Sequence, residues 1–330
     1  MDNNVFLISV ISMGGIGAFF GIVLAYASKK FAIKVDPRIE QINEALPGAN
    51  CGACGYPGCS GFAEAIVEGE APVDGCPVGG REVAEKIAGI MGVEASATQE
   101  RSVARLYCQG DCEVAVDRAL YDGVQDCRAA QAVNGGPKAC KYGCLGFGTC
   151  AEVCPFDAIT MDENHLPHVD IEKCTGCGKC VQACPRNLFE LVGVSKEVHV
   201  GCKSQERGKD VMKVCKAGCI GCRKCVKACP FDAMKFKNNL AKIDYEKCTS
   251  CMVCVEVCPT NATYSDFDKR KKAVITDECI GCTLCKKVCP VEAITGEVKV
   301  KHQVDPEKCI GCSLCFEKCP KDAIKMIREE

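Results

Sequence analysis

Six times in 330 residues the chain runs through closely spaced cysteines into a Cys-Pro step, and no other feature limits its fold so tightly. The endings are CPFDAI from Cys154, CPRNLF from Cys184, CPFDAM from Cys229, CPTNAT from Cys258, CPVEAI from Cys289 and CPKDAI from Cys319. Five runs share the spacing C-x2-C-x2-C-x3-C-P: Cys174, Cys177, Cys180 and Cys184; Cys219, Cys222, Cys225 and Cys229; Cys248, Cys251, Cys254 and Cys258; Cys279, Cys282, Cys285 and Cys289; Cys309, Cys312, Cys315 and Cys319. So tight a loop brings three thiols to one side of the chain, whereas the proline after the fourth restricts the backbone and holds that sulfur away. The fourth cysteine must serve a different site, so the runs are used in pairs.

With 33 cysteines and no tryptophan, the composition does not describe an aromatic-rich core, and metal clusters can replace one. The spacing is that of bacterial two-cluster ferredoxins, where three cysteines of one run and the fourth of its partner hold a 4Fe-4S cubane. Six runs make three two-cluster modules, and Cys229, for example, is expected to serve the cluster of Cys248, Cys251 and Cys254. The earliest run, Cys140, Cys144, Cys150 and Cys154, is stretched to C-x3-C-x5-C-x3-C-P, but it keeps the Cys-Pro ending and is paired with the run from Cys174. Zinc is the alternative for C-x2-C pairs, yet thiolates at this spacing crowd as cubane ligands do and tetrahedral zinc ligands rarely do. Disulfides fare worse, because cysteines this crowded cannot all reach bridging geometry and their total is odd.

Upstream, Cys51, Cys54, Cys59 and Cys76 stand at C-x2-C-x4-C-x16-C in a glycine-rich stretch, with helices expected over Ser60 to Glu68 and Arg81 to Met91. One more cubane fits there, with zinc as the alternative. Seven sites leave Cys108, Cys112, Cys127, Cys202 and Cys215. These either hold an eighth cluster, most simply Cys108, Cys112 and Cys127 with Cys202 or Cys215, or remain buried free thiols.

Gly176, Gly221, Gly281 and Gly311 precede the second cysteine of their runs, where a bare backbone can wrap close to a cluster and offer N–H groups to sulfur. Ser250 breaks that pattern, either shifting its cluster's potential or standing as a tolerated substitution. Alternating stretches such as LPHVDIEK and NNLAKIDYEK suit small strands, and the segments after the prolines suit a helical turn or two, giving an α+β fold.

Val5 to Ala27 is apolar and long enough to cross a bilayer as a helix, and the positive region of a signal peptide is missing before it. Lys29, Lys30, Lys34 and Arg38 follow at once, which places the N-terminus outside and the remainder in the cytoplasm, where thiols stay reduced. Gly14, Gly17 and Gly21, with Ala18 and Ala25, offer small-residue faces for another helix, or the span is a plain anchor. Gly15-Ile16-Gly17 lies within this span with no strand before it, so it is not a dinucleotide fingerprint. The span holds no Asp, Glu, Lys, Arg or His to make an ion path. A net charge of -2 argues against nucleic acid. His165, His168, His199 and His302 show no ligand spacing and read as surface or packing residues. Locally, Lys203, Arg207, Lys209, Lys213, Lys216, Arg223, Lys224 and Lys227 make a basic stretch suited to an acidic protein, with Lys269 to Lys272 as a second candidate, unless these charges offset the chain's own anionic clusters.

A membrane helix followed by CGACGYPGC with its distant fourth cysteine, then GCLGFGTCAEVCPFDAI and further ferredoxin runs, closely resembles the B-type subunit of the Rnf complex. The resemblance implies an electron-entry subunit of a membrane-bound, ion-translocating ferredoxin:NAD oxidoreductase, a single-pass cell-membrane protein. It would take electrons from reduced ferredoxin and pass them through 4Fe-4S clusters to partner subunits that hold the flavin, NAD and ion sites. On that pattern the early cluster falls on Cys51, Cys54, Cys59 and Cys76, and the first ferredoxin module on the cysteines from 140 to 184; the two further modules match the family's extended form. The expected divisions are an anchor at 1–28, a 4Fe-4S domain at 29–95, a connecting segment and first module at 96–200, a second module at 201–265 and a third at 266–330. The rival readings are a membrane-anchored polyferredoxin serving a hydrogenase or dehydrogenase without ion pumping, which would lack the CGACGYPGC domain, and a zinc-binding scaffold.

Overall fold

Cysteine runs leave little chain for regular structure, and what remains between them folds into short antiparallel pairs. The computed structural model describes residues 3–30, 36–94 and 100–328; Lys34 and the expected division at residue 95 lie outside them. In each of three modules an inner hairpin fills the spacer between two runs: Ile159–Met161 with Pro167–Val169, Met234–Lys237 with Leu240–Ile243, and Ile294–Thr295 with Gln303–Val304. An outer pair joins each module's beginning to its end: Ser102–Leu106 with Phe189–Gly193, Val198–Val200 with Thr263–Ser265, and Lys272–Ile275 with Ile324–Ile327. The strand Val198–Val200 lies before the division expected at residue 200, but its pairing belongs to the second module. All three of its residues are buried there.

One-turn helices start one residue before the third cysteine of each run: Thr149–Glu152, Lys179–Ala183, Lys224–Ala228, Val253–Glu256, Leu284–Val288 and Leu314–Glu317. These turns precede the prolines, whereas the sequence suggests helix after them. The reason is the restriction on the residue before proline: Cys184, Cys229 and Cys289 are extended, with ψ of 110 to 113°, and end the helix. Small apolar side chains and sulfur together form the module cores. In the first, Val103, Ala104, Ala158, Ile159 and Phe189 pack with Cys150, Cys174 and Cys180; in the third, Ala273, Ile275, Ile294 and Ile324 pack with Cys285 and Cys315.

Glycine before the second cysteine has a steric cause. At φ of 70° and 67°, Gly176 and Gly311 lie so close to the carbonyls of Ser102 and Lys271 that a Cβ would collide with them. The glycine therefore lets the cluster loop pack under the outer strand. Ser250, with φ of 54°, uses its hydroxyl instead, accepting the Glu197 N–H at 3.2 Å.

The junction of the first two modules is buried and polar. Arg105 and Asp266 pair at 2.7 Å, and Tyr245 bonds both His199, at 2.8 Å, and Tyr107, at 3.1 Å. Lys203 is spent here as well, pairing with Glu190 at 2.6 Å. Between the second and third modules, Glu197 takes Lys271 and Arg328, and Glu256 takes Arg270. Arg270 and Lys271 thus bolt two modules together rather than forming the second docking candidate. His199 and His302 are buried, while His165 and His168 are exposed.

The apolar helix spans Asn3–Lys30, with Lys29 and Lys30 in its last turn, where cations suit the helix dipole. Its stretch Val10–Lys30 is long and apolar enough to cross a membrane, and none of it is buried inside the protein. Beyond it, Pro37–Ala45, Cys59–Glu68 and Gly80–Met91 form a three-helix unit, matching the two helices expected after Cys59. Asp36 caps the first by accepting the Arg38 N–H at 2.9 Å, and Ile42, Phe62, Ile66 and Ile87 are its fully buried centre.

Candidate metal centres

The five regular runs line five similar small cavities. Cys174, Cys177 and Cys180 line one with Cys154. Cys219, Cys222 and Cys225 line another with Cys258, and Cys248, Cys251 and Cys254 a third with Cys229. Cys279, Cys282 and Cys285 meet Cys319, while Cys309, Cys312 and Cys315 meet Cys289. In every case the fourth thiol comes from the partner run. The crossing follows from the one-turn helix, which carries the fourth cysteine to its far end, away from the loop holding the first three.

The stretched run behaves differently. Cys127 and Cys184 are the thiols that act on both Cys144 and Cys150, while Cys140 acts on Cys108 and Cys215. Cys127 is delivered by a second short helix, Cys127–Ala132, capped by Asp126, whose carboxylate accepts the Arg128 and Ala129 N–H groups and the Thr149 hydroxyl. Thr149 in turn accepts the Cys127 N–H at 2.7 Å, so a buried threonine beside Cys150 positions the distant thiol. Spacing alone assigns Cys140 to this site and Cys127 to the surplus; the structure exchanges them. The only sequence trace of the exchange is the cap signal DC-RAA at Asp126.

In the three-helix unit, Asn50 accepts the Cys59 N–H at 2.8 Å, and Cys54, Cys59 and Cys76 pack against the helix core. Burial raises the Cys76 thiol pKa, and the nearby Cys54 and Cys51 sulfurs add to the rise. Besides burial, the Cys51 sulfur helps raise the Cys177 thiol, so this site is within electrostatic reach of the first module. The Cys251 sulfur acts in the same way on Cys312, between the second and third modules. Cys108 and Cys215 approach the same point at Gly110, at the junction of the first two modules, with Cys140 and Cys202 within electrostatic reach. Cys112 stands apart and exposed, its thiol 3.8 Å from the Asn164 side chain.

The donor sets fit cubanes. Every cysteine is a free thiol. Each of the five cross-run sets supplies four thiols, the ligand number a 4Fe-4S cubane takes. Burial pushes the Cys144, Cys150 and Cys180 thiols up to about 12, so metal must displace their protons on binding. Backbone N–H groups then wait for the charged sulfurs: Ala104 on Cys174 at 3.4 Å, Leu188 on Cys184 at 3.4 Å and Ala293 on Cys289 at 3.2 Å. His302, read from sequence as packing, also places Nδ1 3.9 Å from the Cys279 sulfur.

Comparison with known proteins agrees with this chemistry. A family model described as a putative Fe-S cluster matches residues 46–78, and 4Fe-4S dicluster models match residues 139–188, 173–233, 218–262 and 273–326. Over 244 residues the chain is 51% identical to the B-type subunit of the Na+-translocating ferredoxin:NAD+ oxidoreductase complex of Acetobacterium woodii, covering 74% of this chain and 73% of that one. It is 48% identical to the B-type subunit of the proton-translocating ferredoxin:NAD+ oxidoreductase complex of Clostridium ljungdahlii, covering 73% and 85%. The corresponding subunit of the ion-translocating oxidoreductase complex of Methanosarcina acetivorans is 44% identical, covering 74% and 92%.

Proposed function

The chain belongs to the family of B-type subunits of ion-translocating ferredoxin:NAD+ oxidoreductases, the Rnf complexes, and from that premise we propose that it accepts electrons from reduced ferredoxin and relays them to partner subunits through at least seven 4Fe-4S clusters. It is the iron-sulfur electron-transfer subunit of such an oxidoreductase, and the other subunits of the complex are its partners. A 4Fe-4S cluster supplies exchange of a single electron without transfer of atoms. The observation that carries the relay is the crossing of fourth cysteines, which binds the two sites of each module into one unit. The ligands proposed are the five cross-run sets above, Cys127 with Cys144, Cys150 and Cys184, and Cys51 with Cys54, Cys59 and Cys76. The N-terminal helix is the membrane anchor, with the cluster-bearing chain on the cytoplasmic side by the positive-inside rule.

Ferredoxin docks on the basic face of the second module. Arg207, Lys209, Lys213, Lys216, Arg223, Lys224 and Lys227 are exposed, as is Cys222 of the Cys219 site, which Arg223 also lines. A positive surface around a solvent-facing cluster ligand suits an acidic electron donor. Reversing Lys209 and Lys213 to Glu is expected to slow reduction by ferredoxin about tenfold at low ionic strength and to flatten its salt dependence. Reduction by a small neutral dye stays unchanged. Equal slowing with both donors would show cluster damage and remove this docking site.

A further inference from the structure

We propose that Cys108, Cys140, Cys202 and Cys215 hold an eighth 4Fe-4S cluster, which connects the first module to the second. The proposal rests on the electron-transfer reading above. Its four thiols come from four segments: Cys108 follows the strand Ser102–Leu106, Cys140 lies in the insertion between that strand and the helix Thr149–Glu152, Cys202 follows the strand Val198–Val200, and Cys215 ends the helix Gly208–Val214. The insertion is laced to that helix by a bridge between Ala115 and Cys215, with the Val116 N–H on Val214 O and the Lys216 N–H on Val114 O, both at 2.9 Å. No repeat of the fold requires this lacing. Its effect is to bring thiols together.

Gly110 keeps the site open. A Cβ there would sit 3.3 Å from the Cys215 sulfur and 3.6 Å from the Cys108 sulfur, and the Gly110 N–H already points at Cys108 Sγ at 3.4 Å. Besides burial, the Cys140 sulfur raises both the Cys108 and the Cys215 thiols and the Cys108 sulfur raises Cys202, which places the four within electrostatic reach of one another. The Ser204 N–H approaches Cys202 Sγ at 3.4 Å. Next to the group stands Arg186, held by the carbonyls of Cys140, Gly143 and Gly135 and by Gln131, a fixed cation suited to balancing thiolate charge. With this set, Cys112 alone of the 33 cysteines has no cluster site.

Position gives the site its role. The Cys144 N–H donates to Cys108 Sγ at 3.3 Å, and Cys144 belongs to the far site of the first module. On the other side, the Cys219 N–H donates to the Cys202 sulfur, and Cys219 belongs to the near site of the second module. The step added is exchange of one electron with each neighbour, one partner oxidised as the other is reduced. No bond is made or broken, and reduced ferredoxin is the source.

Iron, acid-labile sulfide and zinc are to be measured on the full chain purified anaerobically in detergent, with Mössbauer and paramagnetic-resonance spectra. About 32 irons per chain are expected, falling by about four in Cys202→Ala/Cys215→Ala and unchanged in Cys112→Ala. In the double variant the seven other clusters keep their spectra, but flash reduction reaches only one side of the junction. About 28 irons in the unaltered chain, or about one zinc with 28 irons, would overturn the eighth cluster while leaving the electron-transfer reading intact. Absence of cubane spectra altogether would instead remove that reading. If the double variant does not fold, the metal count of the unaltered chain still decides.

Discussion

The first and third modules share a topology, an inner hairpin inside an outer strand pair, yet they acquire their thiols differently. In the third, both runs are regular, and all eight sulfurs come from residues 279–319. In the first, a long insertion separates the outer strand Ser102–Leu106 from the one-turn helix Thr149–Glu152. That insertion supplies Cys127 to the module, and its own Cys140 turns to the junction. The difference teaches that a cysteine run specifies a site only while its spacing keeps the thiols on one turn of chain. Once the spacing is stretched, capping and packing decide which sulfur arrives.

The largest effects should come from removing single ligands. Cys289→Ala is expected to cost the cluster of Cys309, Cys312 and Cys315, with about four irons, and to spare that of Cys279, Cys282 and Cys285. In the first module, Cys184→Ala and Cys127→Ala should delete one and the same cluster, that of Cys144 and Cys150, and iron analysis with paramagnetic resonance would show it. If Cys127→Ala leaves that cluster untouched while Cys140→Ala destroys it, the two modules obey the same rule after all, and the contrast between them disappears.

This contrast also marks where the sequence is legible. The five regular runs, the crossing of their fourth cysteines, the two helices after Cys59 and the apolar helix are all local patterns, read directly from spacing and periodicity, whereas the helix Pro37–Ala45 is not expected from them. The placement of Cys127 is not local: it depends on Asp126 and Thr149 meeting across the insertion, a contact between residues that no periodicity relates. The boundary at Val198 escapes sequence reading for a similar reason, because a three-residue strand is recognised only by its partner, Thr263–Ser265. The basic run at Lys269 to Lys272 looks like a surface patch because its acceptors, Glu197 and Glu256, lie elsewhere in the chain.

A smaller effect would sharpen the comparison at the glycines. Gly176→Ala and Gly311→Ala each place a methyl against the backbone of the outer strand at a left-handed φ, a cost of about 2–4 kcal/mol. The first-module strand is paired over Ser102–Leu106 and buried at its three central positions, so it yields less than Lys272–Ile275, of which only Ala273 and Ile275 are buried. Gly176→Ala should therefore be the more damaging. Since a protein of this kind unfolds irreversibly, the readout is the rate of cluster bleaching in guanidinium. Equal rates for the two variants would show that strand burial does not set the cost.

The smallest expected effect lies at Ser250, where the second module departs from both others. Its left-handed backbone carries a strain of about 1 kcal/mol that glycine would relieve, and its hydroxyl accepts the Glu197 N–H in a hydrogen bond worth about 1 kcal/mol. Ser250→Gly exchanges one for the other and should bleach at nearly the rate of the unaltered chain. Ser250→Ala keeps the strain and loses the bond, so it should bleach several-fold faster. Because Glu197 also receives Lys271 and Arg328, the loosening should fall on the contact between the second and third modules, and the potential of the Cys248 cluster should hardly move. A shifted potential with unchanged bleaching would place the serine's effect on the cluster itself, leaving Glu197 held by its ion pairs alone.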